Sequence, residues 1–304
     1  MIAALIIAAG RTESKDSFSP QKEVGSITAI RRIVLLFQRA GLERIVVMCD
    51  EDEDKMEKLA SRMNVIFLHN RRGAEMLDNI KAGLDYLQDK CEAALITHSD
   101  VPLFSLETVR ALLAAEGPVC VPSYRGKLGH PILLRAEQFR TVLSYGGEGG
   151  LNGAINASGL RRRLVEVEDE GILADVAHDD DYEHLIVGHS LQNSQLNVRL
   201  RIMREKPFYG PGAHQLLQLT EETRSIREAC RRMGVSYGKG RAMVALMEKQ
   251  LGYPVIVSKQ GGAAGGYSSV SEKGRELMRT YSDFCAEANS YLNVLFERYF
   301  RGVI

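Results

Sequence analysis

The 304-residue chain contains no tryptophan, and its few cysteines include no pair at the C-x-x-C spacing. An odd, scattered set excludes a disulfide framework or a zinc ribbon as the basis of the fold and is typical of a reducing compartment. We therefore expect a cytoplasmic protein. The five cysteines are Cys49, Cys91, Cys120, Cys230 and Cys285.

A hydrophobic run of membrane-spanning length is also missing. The apolar start, Met1 to Ala9, is far shorter than the roughly 20 residues that a transmembrane helix needs, and it lacks the basic start and cleavage site of a signal peptide. We expect it to form a buried strand, and we expect no membrane partner.

The net charge is zero, but the charges are unevenly distributed. From residue 191 onward the chain has 17 Lys and Arg against 10 Asp and Glu, a net charge of +7, and the preceding part carries −7. The length is sufficient for two hydrophobic cores. These features predict two domains, of which the second, basic one suits a phosphate backbone.

Short β-rich runs alternate with segments of helical period through the first hundred residues. This alternation predicts βαβ units and a mostly parallel sheet in a three-layer, Rossmann-like α/β domain. Ligands of such folds bind at the carboxyl ends of the strands, which is where Gly10, Asp50, Asn70 and Asp100 fall. The predicted strands are 4–8, 44–48, 65–68, 93–97 and 163–167, and the predicted helices are 27–39, 53–63, 76–88 and 179–185.

The pattern changes near the polar stretch Gly188–Gln195, which we interpret as a linker between domains 1–190 and 197–304. Helices are then predicted from Leu216 to Thr223, from Ser225 to Gly234 and from about Ser236 to Leu251. Ser225 and Glu228 have the spacing of a capping box. Two β-rich segments, 253–258 and 267–270, flank a glycine run and predict a hairpin. Helix, turn, helix and hairpin in this order predict a winged helix-turn-helix.

Two features of the first domain suggest phosphate and metal chemistry. The strand ending Ala8-Ala9-Gly10 lets backbone N–H groups approach a triphosphate, although a simple turn is an equal alternative. Asp100 follows an apolar strand, and Asp175 follows another, so the two could hold Mg²⁺ beside bound phosphates. The alternative for either carboxylate is a turn or helix-cap role.

Together these segments resemble the MobA-like nucleotidyltransferase family, and within it the molybdenum cofactor cytidylyltransferases. The resemblance rests on segments 6–10, 24–25, 75–83 and 99–102, and on the glycine-containing segments 126–131 and 146–153. It implies a Mg²⁺-dependent transfer from a nucleoside triphosphate, CTP favoured, to a molybdopterin-type acceptor. The implied catalytic residues are Lys22 and Asp100, and the implied metal ligands are Asp100 and Asp175. The implied nucleotide contacts are Ala8, Ala9, Gly10, Arg11, Asn70 and Asp78, and the implied acceptor contacts are Gly129, His130, Pro131, Gly149 and Gly150.

The chain departs from the family pattern in the loop after the first strand. Asp16 stands where the family has glycine, and Lys22 comes about three residues later than the family's lysine. Ala177 replaces the family's second aspartate near Asp175. An alternative hypothesis is therefore a regulator whose degenerate transferase domain only senses a nucleotide or pterin. A dinucleotide-dependent oxidoreductase is disfavoured because no G-x-G-x-x-G follows the first strand.

The second domain resembles the winged-helix domain of ModE-type regulators and the related LysR-type domain, on segments 210–212, 220–226, 229–237 and 251–255 and the glycine hairpin. The resemblance implies binding of double-stranded DNA by a homodimer. Ser236, Tyr237, Lys239 and Arg241 would lie in the first turn of the recognition helix, and Lys259 would lie beside the hairpin. The alternative to DNA binding is that the basic residues of this region only form a solvent-exposed face. A final helix, Asp283 to Phe300, could form the dimer contact or pack on its own domain.

Overall fold

The computed structural model describes residues 1–9, 21–49, 63–70, 75–177, 182–192, 196, 198–259 and 267–300. The chain divides into two compact units: the first comprises residues 1–52 and 65–194, and the second comprises residues 195–304 together with 53–64. Within the described ranges, no helix is long and apolar enough to cross a membrane.

The first unit is built on an eight-stranded sheet. Its strands are β1 (Ile2–Ile7), β4 (Arg44–Cys49), β5 (Ile66–His69), β6 (Ala93–His98), β7 (Val119–Tyr124), β8 (Lys127–Leu128), β9 (Ile132–Arg135) and β10 (Arg162–Glu166), and a separate short pair is formed by β2 (Glu23–Val24) and β3 (Ile27–Thr28). The order is β10-β7-β9-β6-β1-β4-β5, with β8 on β7. Pairing is parallel from β6 through β5, and β9 runs antiparallel between β6 and β7. The predicted mostly parallel sheet is confirmed.

Helices cover this sheet on both faces. They are α1 (Ala29–Arg39), α2 (Met76–Leu87), α3 (Leu106–Ala114), α4 (Phe139–Ser144), α5 (Gly150–Ala157) and α6 (Glu183–Gln192). The strand order runs outward from β1 through β4 to β5 and then returns to β6 on the other side of β1. Right-handed crossovers therefore place α1, which contacts α3, on the face opposite α2, which contacts α4 and α5.

Strand β1 lies at the centre of the core. Residues Ala3 to Ile7 are at most 3% exposed, so both of its faces are covered, as is typical of a central parallel strand. Gly83 allows α2 to approach this strand, because a Cβ atom at that position would lie 2.4 Å from a methyl carbon of Leu5.

The predicted linker at Gly188–Gln195 is wrong as far as Gln192, because that stretch forms the second half of α6. The helical run predicted at 179–185 begins later, at Glu183. The apolar pattern only partly reveals this helix: Leu185 and Ile186 are half-buried, and the one fully buried side chain among its described residues is polar, His189 at 5% exposed. The helix predicted at 53–63 lies outside the described residues except for Met63.

The second unit begins with a short hairpin and continues with helices. The hairpin is formed by β11 (Ile202–Met203) and β12 (Pro207–Tyr209), and the helices are α7 (Pro211–Thr223), α8 (Ile226–Arg232) and α9 (Tyr237–Leu251). An antiparallel pair, β13 (Ile256–Lys259) and β14 (Tyr267–Val270), precedes the long helix α10 (Glu272–Phe300). Both α7 and α10 begin earlier than predicted. Pro211 occupies the first turn of α7, where the missing N–H removes no helical hydrogen bond.

Helices α8 and α9 meet at Gly240, and α8 begins after its N-cap, Ser225. A Cβ atom on Gly240 would lie 2.2 Å from the Cys230 sulfur, so only glycine permits this approach. The Ser225 hydroxyl accepts a hydrogen bond from the Glu228 N–H at 3.2 Å. Only this half of the predicted capping box forms, because the Glu228 carboxylate binds Arg231 and Arg232 instead.

Candidate functional site

The candidate site lies where the strand order reverses, between β1 and β6. Connections leave these neighbouring strands in opposite directions, which opens a crevice at their carboxyl ends. The chain after β6 is fixed to β1 by a hydrogen bond of 3.0 Å from the Ser99 N–H to the Ile7 carbonyl. Ala8 and Ala9 follow β1 here and are half-buried. Gly10 and Arg11, both predicted nucleotide contacts, lie outside the described residues.

Asp100 and Asp175 are brought together by a backbone hydrogen bond. The Val176 N–H donates to the Asp100 carbonyl at 2.8 Å, so the two predicted metal ligands lie on adjacent segments. One carboxylate oxygen of Asp175 accepts from the Ala177 N–H at 2.9 Å, which fixes that side chain in a local turn.

A half-buried carboxylate, that of Asp169, shapes the segment that leads to Asp175. Asp169 caps the short 3₁₀ helix Glu170–Leu173 and also accepts from the Ser105 N–H at 2.7 Å. A Cβ atom on Gly171 would lie 1.9 Å from the Leu103 carbonyl oxygen. The close approach at Gly171 therefore sets the path that leads to Asp175.

Two histidine rings adjoin the carboxylates. His98, the last residue of β6, packs edge-on against His130, with 4.7 Å between ring centroids. Burial lowers the pKa of His98 below its usual value, while Asp100 and Asp175 oppose that shift. Burial, helped by His98, lowers the pKa of His130 to about 3. Both rings are therefore neutral near pH 7 and offer N–H donors and nitrogen lone pairs.

The predicted acceptor residues 129–131 form a tight crossing beside this pair. A Cβ atom on Gly129 would lie 2.4 Å from the Ile172 carbonyl oxygen, which accepts from the His130 N–H at 3.0 Å. The His130–Pro131 peptide bond is cis. The Nδ1 atom of His130 is buried and has no hydrogen-bond partner within the described part of the chain.

Lys22 also contacts the segment that carries Asp175. Its ammonium donates to the Val176 carbonyl at 2.7 Å and lies 5.7 Å from the centre of the Tyr182 ring. The predicted catalytic lysine and both predicted metal ligands therefore converge around Val176.

Asn70 and Asp78, two predicted nucleotide contacts, are both next to Asn79, a residue that sequence reasoning missed. The Asn70 amide, after β5, donates to the Asn79 Oδ1 at 3.1 Å. Asn79 is fully buried in the first turns of α2, and its Nδ2 has no hydrogen-bond partner among the described residues. Asp78 precedes it in the first turn of α2.

The second glycine segment, which contains Gly149 and Gly150, folds around Tyr145. The Tyr145 hydroxyl donates to the Glu148 carbonyl at 2.6 Å, and Lys81 of α2 donates to the Tyr145 carbonyl. Gly149 and Gly150 have φ values of 85° and 60°, which favour glycine. These contacts tie the segment to α2 and α4, and no hydrogen bond described in the structure ties it to Asp100 or Asp175.

The donor set fits Mg²⁺ or a similar divalent ion. Mg²⁺ usually takes one or two carboxylates from the protein and completes its shell with substrate phosphates and water. Asp100 and Asp175 meet that requirement. Within the described ranges, no group of three or more His, Cys, Asp and Glu side chains could hold a metal ion without such outside ligands.

The sequence reasoning missed His98, Asn79 and Tyr182. His98 could have been found, because a polar residue at the end of an otherwise apolar strand already drew attention to Asp100. No sequence signal marks Tyr182, since its partner Lys22 comes from a distant segment, and none shows that Asn79 is buried against the nearby Asn70.

The second unit presents a separate polar surface at the start of α9. Ser236 caps this helix through the Lys239 N–H, and Ser236, Tyr237, Lys239 and Arg241 are exposed. The guanidinium of Arg227 lies 5.3 Å from the centre of the Tyr237 ring. Lys259 is the last residue of β13, opposite Tyr267, and the glycines between the two strands lie outside the described residues.

The fold and this carboxylate edge define a nucleotidyltransferase-type α/β domain. Residues 4–166 match the model of the MobA-like NTP transferase domain, and the chain belongs to that family. A comparison with curated protein sequences finds no match.

Solved structures share the fold of the first unit. A nucleotidyl transferase from Methanothermobacter thermautotrophicus is 21% identical, with a TM-score of 0.54 over 63% of this chain and 98% of its own. Rv0371c from Mycobacterium tuberculosis H37Rv is 17% identical, with a TM-score of 0.52 over 61% of this chain and 98% of its own. A second structure of Rv0371c, in complex with manganese, is 17% identical, with a TM-score of 0.50 over 61% of this chain and 98% of its own.

Proposed function

We propose that the first unit is a Mg²⁺-dependent transferase that joins a nucleoside triphosphate, CTP favoured, to a molybdopterin-type phosphate acceptor. The observation that carries the proposal is the juxtaposition of Asp100 and Asp175 at the point where the strand order of a MobA-like domain reverses. The manganese complex of Rv0371c supports a divalent metal in this fold.

The reaction needs positioning and charge neutralisation more than covalent chemistry. An oxygen of the acceptor phosphate attacks the α-phosphorus, the bond from that phosphorus to the oxygen bridging to the β-phosphate breaks, and pyrophosphate leaves. Asp100 and Asp175 would hold Mg²⁺, which would neutralise charge on the phosphates. Lys22 adds a cation for the triphosphate, and the neutral His130 ring offers a hydrogen bond to the acceptor.

The test is release of pyrophosphate from CTP, GTP or ATP with Mg²⁺ and molybdopterin. We expect release that requires both the acceptor and the metal, and fastest with CTP. Absence of pyrophosphate with all three nucleotides would remove the catalytic proposal.

A second proposal is that the first unit binds a nucleotide or pterin only as a signal. It is favoured by Asp16, which stands where the MobA-like family has glycine, and by the hydrogen bond that the predicted catalytic lysine, Lys22, donates to the Val176 carbonyl. Replacement of Asp100 by Asn separates the two proposals. An enzyme loses turnover and keeps DNA binding, whereas a sensor has no turnover to lose.

For the second unit we propose binding of double-stranded DNA through α9. The support is the exposure of Tyr237, Lys239 and Arg241 in the first two turns of a helix that packs on α8, followed by the β13–β14 hairpin. A helix laid in the major groove contacts bases through its N-terminal residues. The net charge of +7 from residue 191 onward suits the phosphate backbone.

DNA binding is tested with the DNA upstream of the protein's own gene at several salt concentrations. We expect Lys239→Ala and Arg241→Ala to weaken binding and to reduce the salt slope by about one unit each if they contact phosphates. Lys249, exposed in the last turn of the same helix, provides the control and should have little effect as Ala. Affinity that does not depend on salt would contradict the proposal.

We also propose that α10 joins two copies of the chain. Tyr281 is buried within its own unit, but Phe284, Tyr291 and Tyr299 beyond it are 56%, 65% and 71% exposed. Phe284, Ala288, Tyr291 and Leu295 follow the alternating spacing of four and three residues that suits two packed helices. Sedimentation should show a dimer that Tyr291→Glu dissociates, and a wild-type monomer would remove the proposal.

A further inference from the structure

Helix α6 is attached at its N-terminal end to Lys22, the predicted catalytic lysine. The Lys22 ammonium donates to the Val176 carbonyl at 2.7 Å and lies over the ring of Tyr182, directly before α6. Val176 follows Asp175, so the lysine is bound beside a predicted metal ligand. Lys22 therefore joins the candidate site to the start of α6.

The C-terminal half of α6 is attached to α1 by a buried cation. Arg32 is 4% exposed, and its guanidinium lies 2.9 Å from His189 Nδ1 and donates to Ser190 Oγ at 3.3 Å. It also donates to the Val24 carbonyl at 2.6 Å. No carboxylate among the described residues pairs with Arg32, so neutral groups alone hold it. His189 in turn is hydrogen-bonded through Nε2 to the Phe104 carbonyl at 3.0 Å.

One small apolar cluster lies between these two attachments. Tyr182, Leu185 and Ile186 pack against one small cluster formed by Val24, Ala29, Leu103, Ala174 and Val176. Gly25 leaves the space that Ile186 occupies, because a Cβ atom there would lie 2.8 Å from an Ile186 methyl carbon. The position of α6 thus depends strongly on its two polar attachments.

We propose that α6 is a latch released by nucleotide binding: a triphosphate draws the Lys22 ammonium away from Val176 and Tyr182 and loosens the first turns of the helix. The inference rests on the proposed function, in which Lys22 binds phosphates. A polyanion competes for the ammonium against a neutral carbonyl and an aromatic ring, and charge-assisted hydrogen bonds are the stronger ones. Because α6 is the last helix of the first unit, the chain beyond it leads directly to the second unit.

Thermodynamic linkage predicts that the latch affects nucleotide affinity as well as the stability of α6. If nucleotide binding breaks the contact of Lys22 with Tyr182, then removing that contact must tighten nucleotide binding by the same factor. Because an exposed cation–π contact is weak, we expect Tyr182→Leu to raise nucleotide affinity by about two- to fivefold. A ring with a purely structural role would give unchanged or weaker binding.

The experiment is hydrogen exchange of the full chain across Glu183–Gln192, with and without CTP and Mg²⁺. We expect nucleotide to raise exchange severalfold in the wild-type chain. In Tyr182→Leu and Lys22→Met, exchange should already be raised without nucleotide. Lys90→Met is the matched control, because Lys90 donates to the Tyr86 carbonyl at 2.7 Å and lies 4.5 Å from that ring, outside the site. This variant should leave exchange in α6 unchanged.

Calorimetry on the same samples separates the two ways of failing. If CTP binds, but exchange in α6 stays constant or slows and Tyr182→Leu binds no tighter, the latch is wrong and the nucleotide site stands. If no nucleotide binds to the wild-type chain or to Tyr182→Leu, the proposed function fails and the latch fails with it.

Discussion

Val176 donates its backbone N–H to the carbonyl oxygen of Asp100 at 2.8 Å, although the two residues belong to distant parts of the chain. This bond places Asp175 beside Asp100, and both carboxylates act on the pKa of His98. The site thus depends on a β-sheet edge and on one returning segment that is held against it.

Asp100→Asn and Asp175→Asn should each lower metal-dependent pyrophosphate release about 100-fold or more, because metal-assisted charge stabilisation contributes several kcal/mol. Asn keeps the side-chain shape, so the Ala177 N–H retains its acceptor at position 175. The measurement is pyrophosphate release as a function of Mg²⁺ concentration. Asp89→Asn, at an exposed position beyond α2, is the control and should retain wild-type rates. Full activity in both site variants would exclude these carboxylates as ligands.

Much of this arrangement could be predicted from the sequence, because strand-end residues of a doubly wound sheet meet at one edge. Alternating apolar runs located β1, β4, β5 and β6 to within a residue or two, and therefore placed Asn70 and Asp100 at the carboxyl edge. The sequence offered Asp175 only as a carboxylate that follows a later strand. Its position beside Asp100 depends on the close approach of Gly129 and Gly171 to backbone of other segments, which strand periodicity does not predict.

The contacts that the sequence could not predict involve polar groups that act as core residues. Helix α6 lacks a complete apolar stripe because its buried contact with α1 is made by two polar side chains, His189 of α6 and Arg32 of α1. The capping box was half right, since Glu228 has two arginines within reach on its own helix and binds them instead of the N-cap backbone. Periodicity carries no information about such choices between competing polar partners.

Gly129→Ala should destabilise the first unit by about 2 kcal/mol or more, because the new methyl group would meet the backbone oxygen of Ile172. The displaced crossing also carries His130, so activity should fall in the fraction that remains folded. Urea unfolding and pyrophosphate release report the two effects. Gly146→Ala is the matched control, since a Cβ atom there meets nothing within 4 Å. Equal stability of the two variants would contradict the packing argument.

Two glycines of α9 should respond in opposite ways to the same substitution. Gly240→Ala places a methyl group against the Cys230 sulfur and should lower the melting temperature of the second unit and weaken DNA binding. Gly238→Ala enters open space and should stabilise the helix by about 0.5–1 kcal/mol, because alanine favours a helix interior over glycine. Thermal unfolding measures both changes. A stable Gly240→Ala variant would show that α8 and α9 can move apart.

Acidification should destabilise the first unit through His189. Burial and the neighbouring Arg32 lower the pKa of His189 from 6.5 to about 4 in the folded chain. Between these pH values the unfolded chain binds a proton that the folded chain does not, so stability falls as the pH decreases from 6.5 towards 4. The loss is at most about 3 kcal/mol at pH 4.

The variant His189→Gln isolates this contribution, because the glutamine side chain can accept from Arg32 and donate to the Phe104 carbonyl without titrating. We expect its free energy of unfolding, measured in urea at pH 7.5, 6 and 5, to depend less on pH than that of the wild-type chain. His184→Gln, exposed on the same helix, should keep the wild-type dependence. Parallel curves for His189→Gln and the wild type would show that His189 does not hold α6 as a neutral acceptor, and that the attachment of α6 to α1 depends on the other partners of Arg32.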